Sequence, residues 1–160
     1  MRPLATLLFA GLFASALSAT ACGTPADLKQ TTRITDVSSG WFDAGIQADG
    51  KNKLVPSLTF RIVKNPGTSL STLSLNVVFR KAGEQEHADD VFLQTVEFEG
   101  DATAPIVVRS GYGYTGEQSR AEMLKHSDFR DMEAQVFAKQ SSSQWVALHD
   151  VKIDRQVIVR

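Results

Sequence analysis

Gly111-Tyr112-Gly113-Tyr114-Thr115-Gly116 has the spacing GxGxxG, and Asp131 stands twenty residues after Gly111, near where a ribose-binding acid is expected. Glycines at these positions let a backbone approach a pyrophosphate, and the segment lies between an expected strand and an expected helix. A dinucleotide fingerprint nevertheless needs a parallel βαβ unit, whereas the flanking segments alternate apolar and polar residues as half-exposed antiparallel strands do. The expectation is therefore a structural loop whose glycines permit positive φ and whose tyrosines cover a sheet edge or the helix. No cofactor is expected.

Other polar groupings are weighed in the same way. Glu84, Glu86, His87, Asp89 and Asp90 could offer ligands to a cation, but their spacing matches neither a calcium loop nor a zinc site, and a solvated hairpin loop is expected. His126-Ser127-Asp128 holds the residue types of a nucleophilic triad. Sequence neighbours seldom place the base between nucleophile and acid, and no G-x-S-x-G elbow occurs. His149 shares an alternating face with Trp145, Ala147, Val151 and Ile153, which predicts a place near the core. Trp41, Phe42 and Trp145 are expected as core anchors. No catalytic residue and no metal ligand is assigned, and an enzyme is not expected.

The elements that position these residues are mostly strands. Leu54, Leu58, Phe60 and Ile62 alternate with Ser57, Thr59 and Arg61 across Leu54 to Val63, and Leu73, Leu75, Val77 and Phe79 alternate with Ser74, Asn76, Val78 and Arg80. A period of two over such lengths would split the apolar face of any helix. Asn65-Pro66-Gly67 and Lys81-Ala82-Gly83-Glu84 supply turn chemistry after each run. Further strands are expected at 32–37, 41–47, 91–98, 105–110, 132–139 and 145–159, the last with a break near Asp154-Arg155. Ser141-Ser142-Ser143 reads as a hairpin loop. One helix is expected from Ser119 to about Ser127, because Ser119-Arg120-Ala121-Glu122 has the form of a capping box. These elements predict an all-β fold, a two-layer antiparallel β-sandwich with one short helix.

Cys22 is the only cysteine, and it follows an apolar run from Leu4 to Leu17 and the small-residue stretch Ser18-Ala19-Thr20-Ala21. With Arg2 as the positive n-region, residues 1–21 read as an export signal. The segment resembles bacterial lipoprotein signals, in which small residues precede a cysteine that becomes diacylated; Ala19 stands where Leu is usual. That resemblance implies lipidation at Cys22 and, with Gly23 next, an outer-membrane destination facing the periplasm. General signal peptidase could instead cut after Ala21 and leave a secreted or periplasmic protein with a free thiol. Either cut removes Arg2 and no acidic residue, leaving 16 basic groups against 18 acidic ones. Such balance argues against a nucleic-acid partner. One cysteine allows no internal disulfide, so the hydrophobic core alone must hold the domain. The expected organisation is a signal over 1–21, a flexible tether over 22–30 and a single sandwich over 31–160.

Phe60-Arg61-Ile62-Val63-Lys64-Asn65, followed by a Pro-Gly loop and Leu73-Ser74-Leu75-Asn76-Val77-Val78-Phe79, resembles the opening of small bacterial immunoglobulin-like domains of the FxLYD kind. The resemblance covers about a third of the mature chain. It implies a domain without catalysis, behind a lipoprotein signal, and it assigns no functional residue. Where that family has Pro-Gly before a strand, this chain has Ala104-Pro105 ahead of Ile106. The expected function is a noncatalytic envelope lipoprotein, anchored to the membrane by its N-terminal lipid, that binds another envelope protein. The alternative is an accessory domain for a small molecule or a glycan.

Overall fold

Alternation is expressed most cleanly where two strands face each other without interruption. The computed structural model describes residues 27–159, so Cys22 and the signal lie outside the described residues. In chain order the elements are α1 (Leu28–Thr31), β1 (Thr32–Ile46), β2 (Asn52–Lys64), β3 (Thr72–Lys81), β4 (His87–Glu99), β5 (Ala102–Thr103), β6 (Ile106–Arg109), β7 (Tyr114–Gly116), α2 (Arg120–Lys125), β8 (Met132–Lys139), β9 (Val146–Lys152) and β10 (Val157–Ile158). Leu73, Leu75, Val77 and Phe79 of β3 are buried beside Met132, Ala134, Val136 and Ala138 of β8. The register sets Phe79 opposite Ala134, a large ring over a small side chain, so the pair fills one layer without crowding. Burying one such apolar side chain contributes about 1.5 to 3 kcal/mol.

The chain is all-β, with two short helices where one was expected. Strands follow the order β10-β1-β2-β5-β4-β3-β8-β9, while β6 and β7 also pair with β2. Pairings are antiparallel except for β1 with β10, which is parallel. Strand β4 pairs with β3 along most of its length and then, at Phe98 and Glu99, with β5. The result is one mixed sheet curled around a core that contains both Phe60 and Phe79. Its two ends meet at Ser39 of β1. The Ser39 hydroxyl donates to the Lys152 carbonyl and accepts from the Asp154 N–H, both at 3.1 Å, and the Gln156 amide donates to the Ser39 carbonyl at 2.7 Å.

Several boundaries differ from expectation for identifiable reasons. The strands expected at 32–37 and 41–47 form the single β1, interrupted where the register shifts between Thr35 and Ser38; Asp36 sits there at φ +52° and pairs with Arg61 at 3.5 Å. The tether ends sooner than residue 30. Asp27 caps α1 by accepting from the Lys29 N–H, and Leu28 is only 2% exposed within the core. In β9 an irregularity between the pairs Val136–His149 and Phe137–Ala147 switches the face that points inward. Val146 and Leu148 pack on the core before it, and Val151 and Ile153 after it. His149, at the switch, is half-buried, and Trp145 is turned outward at 40% exposure, which corrects its expected place in the core.

Candidate functional site

Strands β6 and β7 pair with consecutive stretches of β2, Ser57–Phe60 and Asn52–Leu54, so the glycine motif begins as a bulge between them over Val55 and Pro56. Proline has no N–H to offer this side, and the gap gives Pro56 a place in a central strand. Its carbonyl accepts from the Ser110 N–H at 3.0 Å. Tyr114, Thr115 and Gly116 are themselves strand residues, hidden from periodicity by the brevity of β7.

The amide that begins the glycine motif is bound to a carboxylate of the protein itself. Asp89 Oδ2 accepts from the Gly111 N–H at 2.6 Å and from the Ser110 hydroxyl at 2.7 Å, and the Ser110 hydroxyl accepts from the Tyr112 N–H at 3.0 Å. Partial burial pushes the Asp89 carboxyl up, but bonds from Ser110 and from backbone N–H groups at Gly111, Tyr112 and Asp90 outweigh it, and it lies below its ordinary value. His87, Asp89 and Asp90 belong to β4 and not to the expected hairpin loop. Glu84 pairs with Lys81 at 3.7 Å, and no group of three or more possible ligands converges among the described residues. Asp131 is also engaged elsewhere: Arg155 binds it at 2.6 Å and Lys152 at 3.2 Å. Arg155 first, then Lys152 against partial burial, hold the Asp131 carboxyl down.

The Asp89 arrangement has a testable sign. Because its folded carboxyl lies below the ordinary 3.8, its contribution is full above that value and fades as the pH falls through the folded value. Asp89→Asn is expected to cost about 1 to 2 kcal/mol at pH 7, the range for charge-assisted hydrogen bonds discounted for partial exposure. Denaturant midpoints of the two proteins should converge in strongly acidic buffer; a gap independent of pH would show that the carboxylate charge is not what holds the loop.

Positive φ is not what the motif requires of its glycines. Among the described residues the glycines at positive φ are Gly45, Gly50, Gly67, Gly83 and Gly100, none of them in the motif. Gly113 is needed for close approach, since a Cβ there would overlap the Leu54 carbonyl oxygen and come within 2.8 Å of Val55 Cγ1. Gly111 has room, its nearest neighbour being Asp89 Oδ2 at 3.6 Å. The tyrosines were expected over a sheet edge or the helix; they pack instead on the aromatic edge of the core. Tyr114 packs on Phe129 and Trp41 with ring centroids 4.6 and 5.6 Å away, and Tyr112 on Tyr114 at 6.0 Å. Burial, and then the neighbouring Tyr112, push the Tyr114 phenol up against the opposing bond from the Arg130 N–H.

After β7 the chain turns into α2 through the capping box foreseen from Ser119 and Glu122. Arg120 ties the helix to Asp43 of β1 at 2.9 Å, and Asn52 of β2 donates to the Gln118 carbonyl at 2.7 Å. The Arg155 guanidinium donates to the carbonyls of Leu124 at 2.9 Å and Phe129 at 3.0 Å, which fixes the turn after the helix. This turn carries His126, Ser127 and Asp128. Nδ1 of His126 accepts from the Asp128 N–H at 3.2 Å, and no hydrogen bond joins Ser127 to His126. A nucleophile–base–acid relay is not built.

The fold nevertheless brings the two motifs together. Tyr114, Met123 and Phe129 form the apolar side of an open cavity of about 290 Å³. Thr115, Gly116, Gln118, His126 and Asp128 form the rest. Sequence spacing could not show this, because the intervening helix sets the approach.

A second surface lies on the outer face of β4-β3-β8-β9. Phe92 of β4, 53% exposed, meets Trp145 edge to face with centroids 6.0 Å apart. Lys139 Nζ lies 4.8 Å from the Trp145 ring centre. Phe92, Asn76, Phe137 and Ala147 occupy one cross-strand row, and the Asn76 side-chain oxygen is buried there without a hydrogen-bond partner. The alternation of β9 had pointed Trp145 and Ala147 inward, and the irregularity in its register turns that face outward. Phe92 gave no such signal.

Scans against protein-family models, curated proteins and solved structures found no match to this chain.

Proposed function

We propose that this chain is a noncatalytic, exported lipoprotein, held to the membrane through acylated Cys22, whose β-domain binds another protein of the cell envelope through the face that carries Phe92 and Trp145. One observation carries the choice of face: two large aromatic side chains meet in solvent on a sheet whose opposite side is already the core. Exposed aromatic pairs are costly to leave in water and supply large contact area at low entropic cost when covered. Lys139 beside Trp145 adds a cation at the rim, which favours a partner with an apolar centre and acidic margin. The position of Cys22 after the apolar run supports the anchor, and the FxLYD-type resemblance supports a binding domain without catalysis.

The test places a photo-crosslinking residue at the exposed Gln94 of β4 in intact cells. A discrete protein adduct that disappears in Phe92→Ala/Trp145→Ala, with the anchor confirmed by intact mass of the mature chain, is the expected result. An adduct indifferent to the double variant, or no adduct, overturns the assigned face, and an unmodified Cys22 overturns the anchor.

A second reading, an accessory domain for a small molecule, draws on a different observation. It rests on the cavity shared by β7, α2 and the turn after α2.

A further inference from the structure

The geometry points to a small organic cation, an amine or ammonium carried on a compact apolar body, as the occupant of the cavity between Tyr114 and Asp128. This assigns a ligand class to the second reading above and depends on it. Charge selects the class. Among the side chains that line the cavity, Asp128 bears the only fixed charge, and its carboxylate is 90% exposed at the mouth. The His126 Nδ1 is engaged by the Asp128 N–H at 3.2 Å and lies 3.8 Å from the Asp128 carboxylate, so it does not stand free in the cavity. Anions therefore meet a carboxylate with no cation among the lining side chains to offset it. Arg155 is not among the lining side chains: its guanidinium lies 5.3 Å from the Phe129 ring centre and is occupied by Asp131 and the carbonyls of Leu124 and Phe129.

The apolar side supports the same class. Tyr114 and Phe129 present aromatic surface, and Met123 a polarizable thioether, a lining that accepts both the hydrocarbon part of such a ligand and its cationic head. Behind them Trp41 extends the aromatic cluster, with its ring 4.4 Å from Phe129. At about 290 Å³ the space stands at the lower end of ligand cavities, which suits a molecule of one ring or a short chain.

Four probes separate charge from shape: benzylamine, benzyl alcohol, benzoate and methyl glucoside, each titrated into the 15N-labelled full chain. Benzylamine is expected to give saturable amide shifts confined to residues 114–129, with millimolar affinity, while benzoate gives none. Asp128→Asn should weaken benzylamine about twofold to threefold, and Asp128→Lys should weaken it further, as removal and reversal of a largely exposed charge predict. Because Asp128 is so exposed, neither substitution threatens folding. Equal response to benzyl alcohol, or a benzylamine response unchanged in Asp128→Asn, overturns the cation assignment. Binding of methyl glucoside alone overturns the assignment but keeps the small-molecule reading, whereas silence from all four probes removes both.

Discussion

Phe60→Ala and Phe79→Ala are each expected to cost about 3 to 5 kcal/mol, because each deletes a fully buried ring and leaves a cavity that neighbouring strands cannot collapse. Phe60 lies in the centre of β2, between β1 and β6, and Phe79 lies in β3 between β4 and β8. Neither position can relax without moving a paired strand. Loss on that scale consumes much of the stability of a small domain, so both variants should show a large fraction of unfolded protein under mild denaturant. The neighbouring residues give the contrast. Arg61 meets the exposed Asp36 at 3.5 Å and the Thr103 carbonyl at 3.3 Å, and Arg80 meets Gln135 at 2.8 Å, the last two part-buried. Their replacement by Ala should cost about 1 kcal/mol or less. Urea midpoints for the four variants decide the matter; comparable losses at Phe and Arg positions would mean that these strands face the other way.

Gly113→Ala is expected to cost about 2 to 3 kcal/mol through overpacking, since the added methyl meets a backbone carbonyl of β2 that is itself held in the sheet. Gly111→Ala, two residues earlier, should be close to neutral. The pair separates two explanations of the same motif. If the glycines served backbone freedom, both substitutions would be costly; if they served an anion, phosphate would protect the wild type against thermal unfolding. Thermal midpoints of both variants, with and without phosphate, distinguish these cases, and a neutral Gly113→Ala would remove the close-approach explanation.

Much of the fold was legible where a strand keeps its alternation from end to end. Met132, Ala134, Val136 and Ala138 mark β8 at its observed limits, and Ser119 with Glu122 marks the start of α2. Legibility fails where a bulge changes parity. In β4 the inward residues are Val91 and Leu93, then Val96 and Phe98, and in β9 the same exchange turns Trp145 to solvent. A period of two carried through such a point assigns half the strand to the wrong face. The four residues of α1 and the three of β7 are too few to show any period. The candidate cavity escaped for a different reason. Its two motifs were each visible and each set aside, and only the tertiary ties of Arg120, Asn52 and Arg155 bring them to one opening.

The meeting of the sheet ends at Ser39 has a temporal side. The groups that seal β1 arrive late: the Lys152 carbonyl, the Asp154 N–H and the Gln156 amide lie 113, 115 and 117 residues farther along the chain. A ribosome reading from the first strand leaves this border open until the final turn of the domain has emerged, and loop closure over that distance is slow. Local pairs such as β1 with β2 and β3 with β4 can form earlier, but the border at Ser39 cannot close before the last residues of the domain are made. The hydroxyl that closes the finished domain is thus among the last of its groups to find partners, and the seam it holds is a late step of folding.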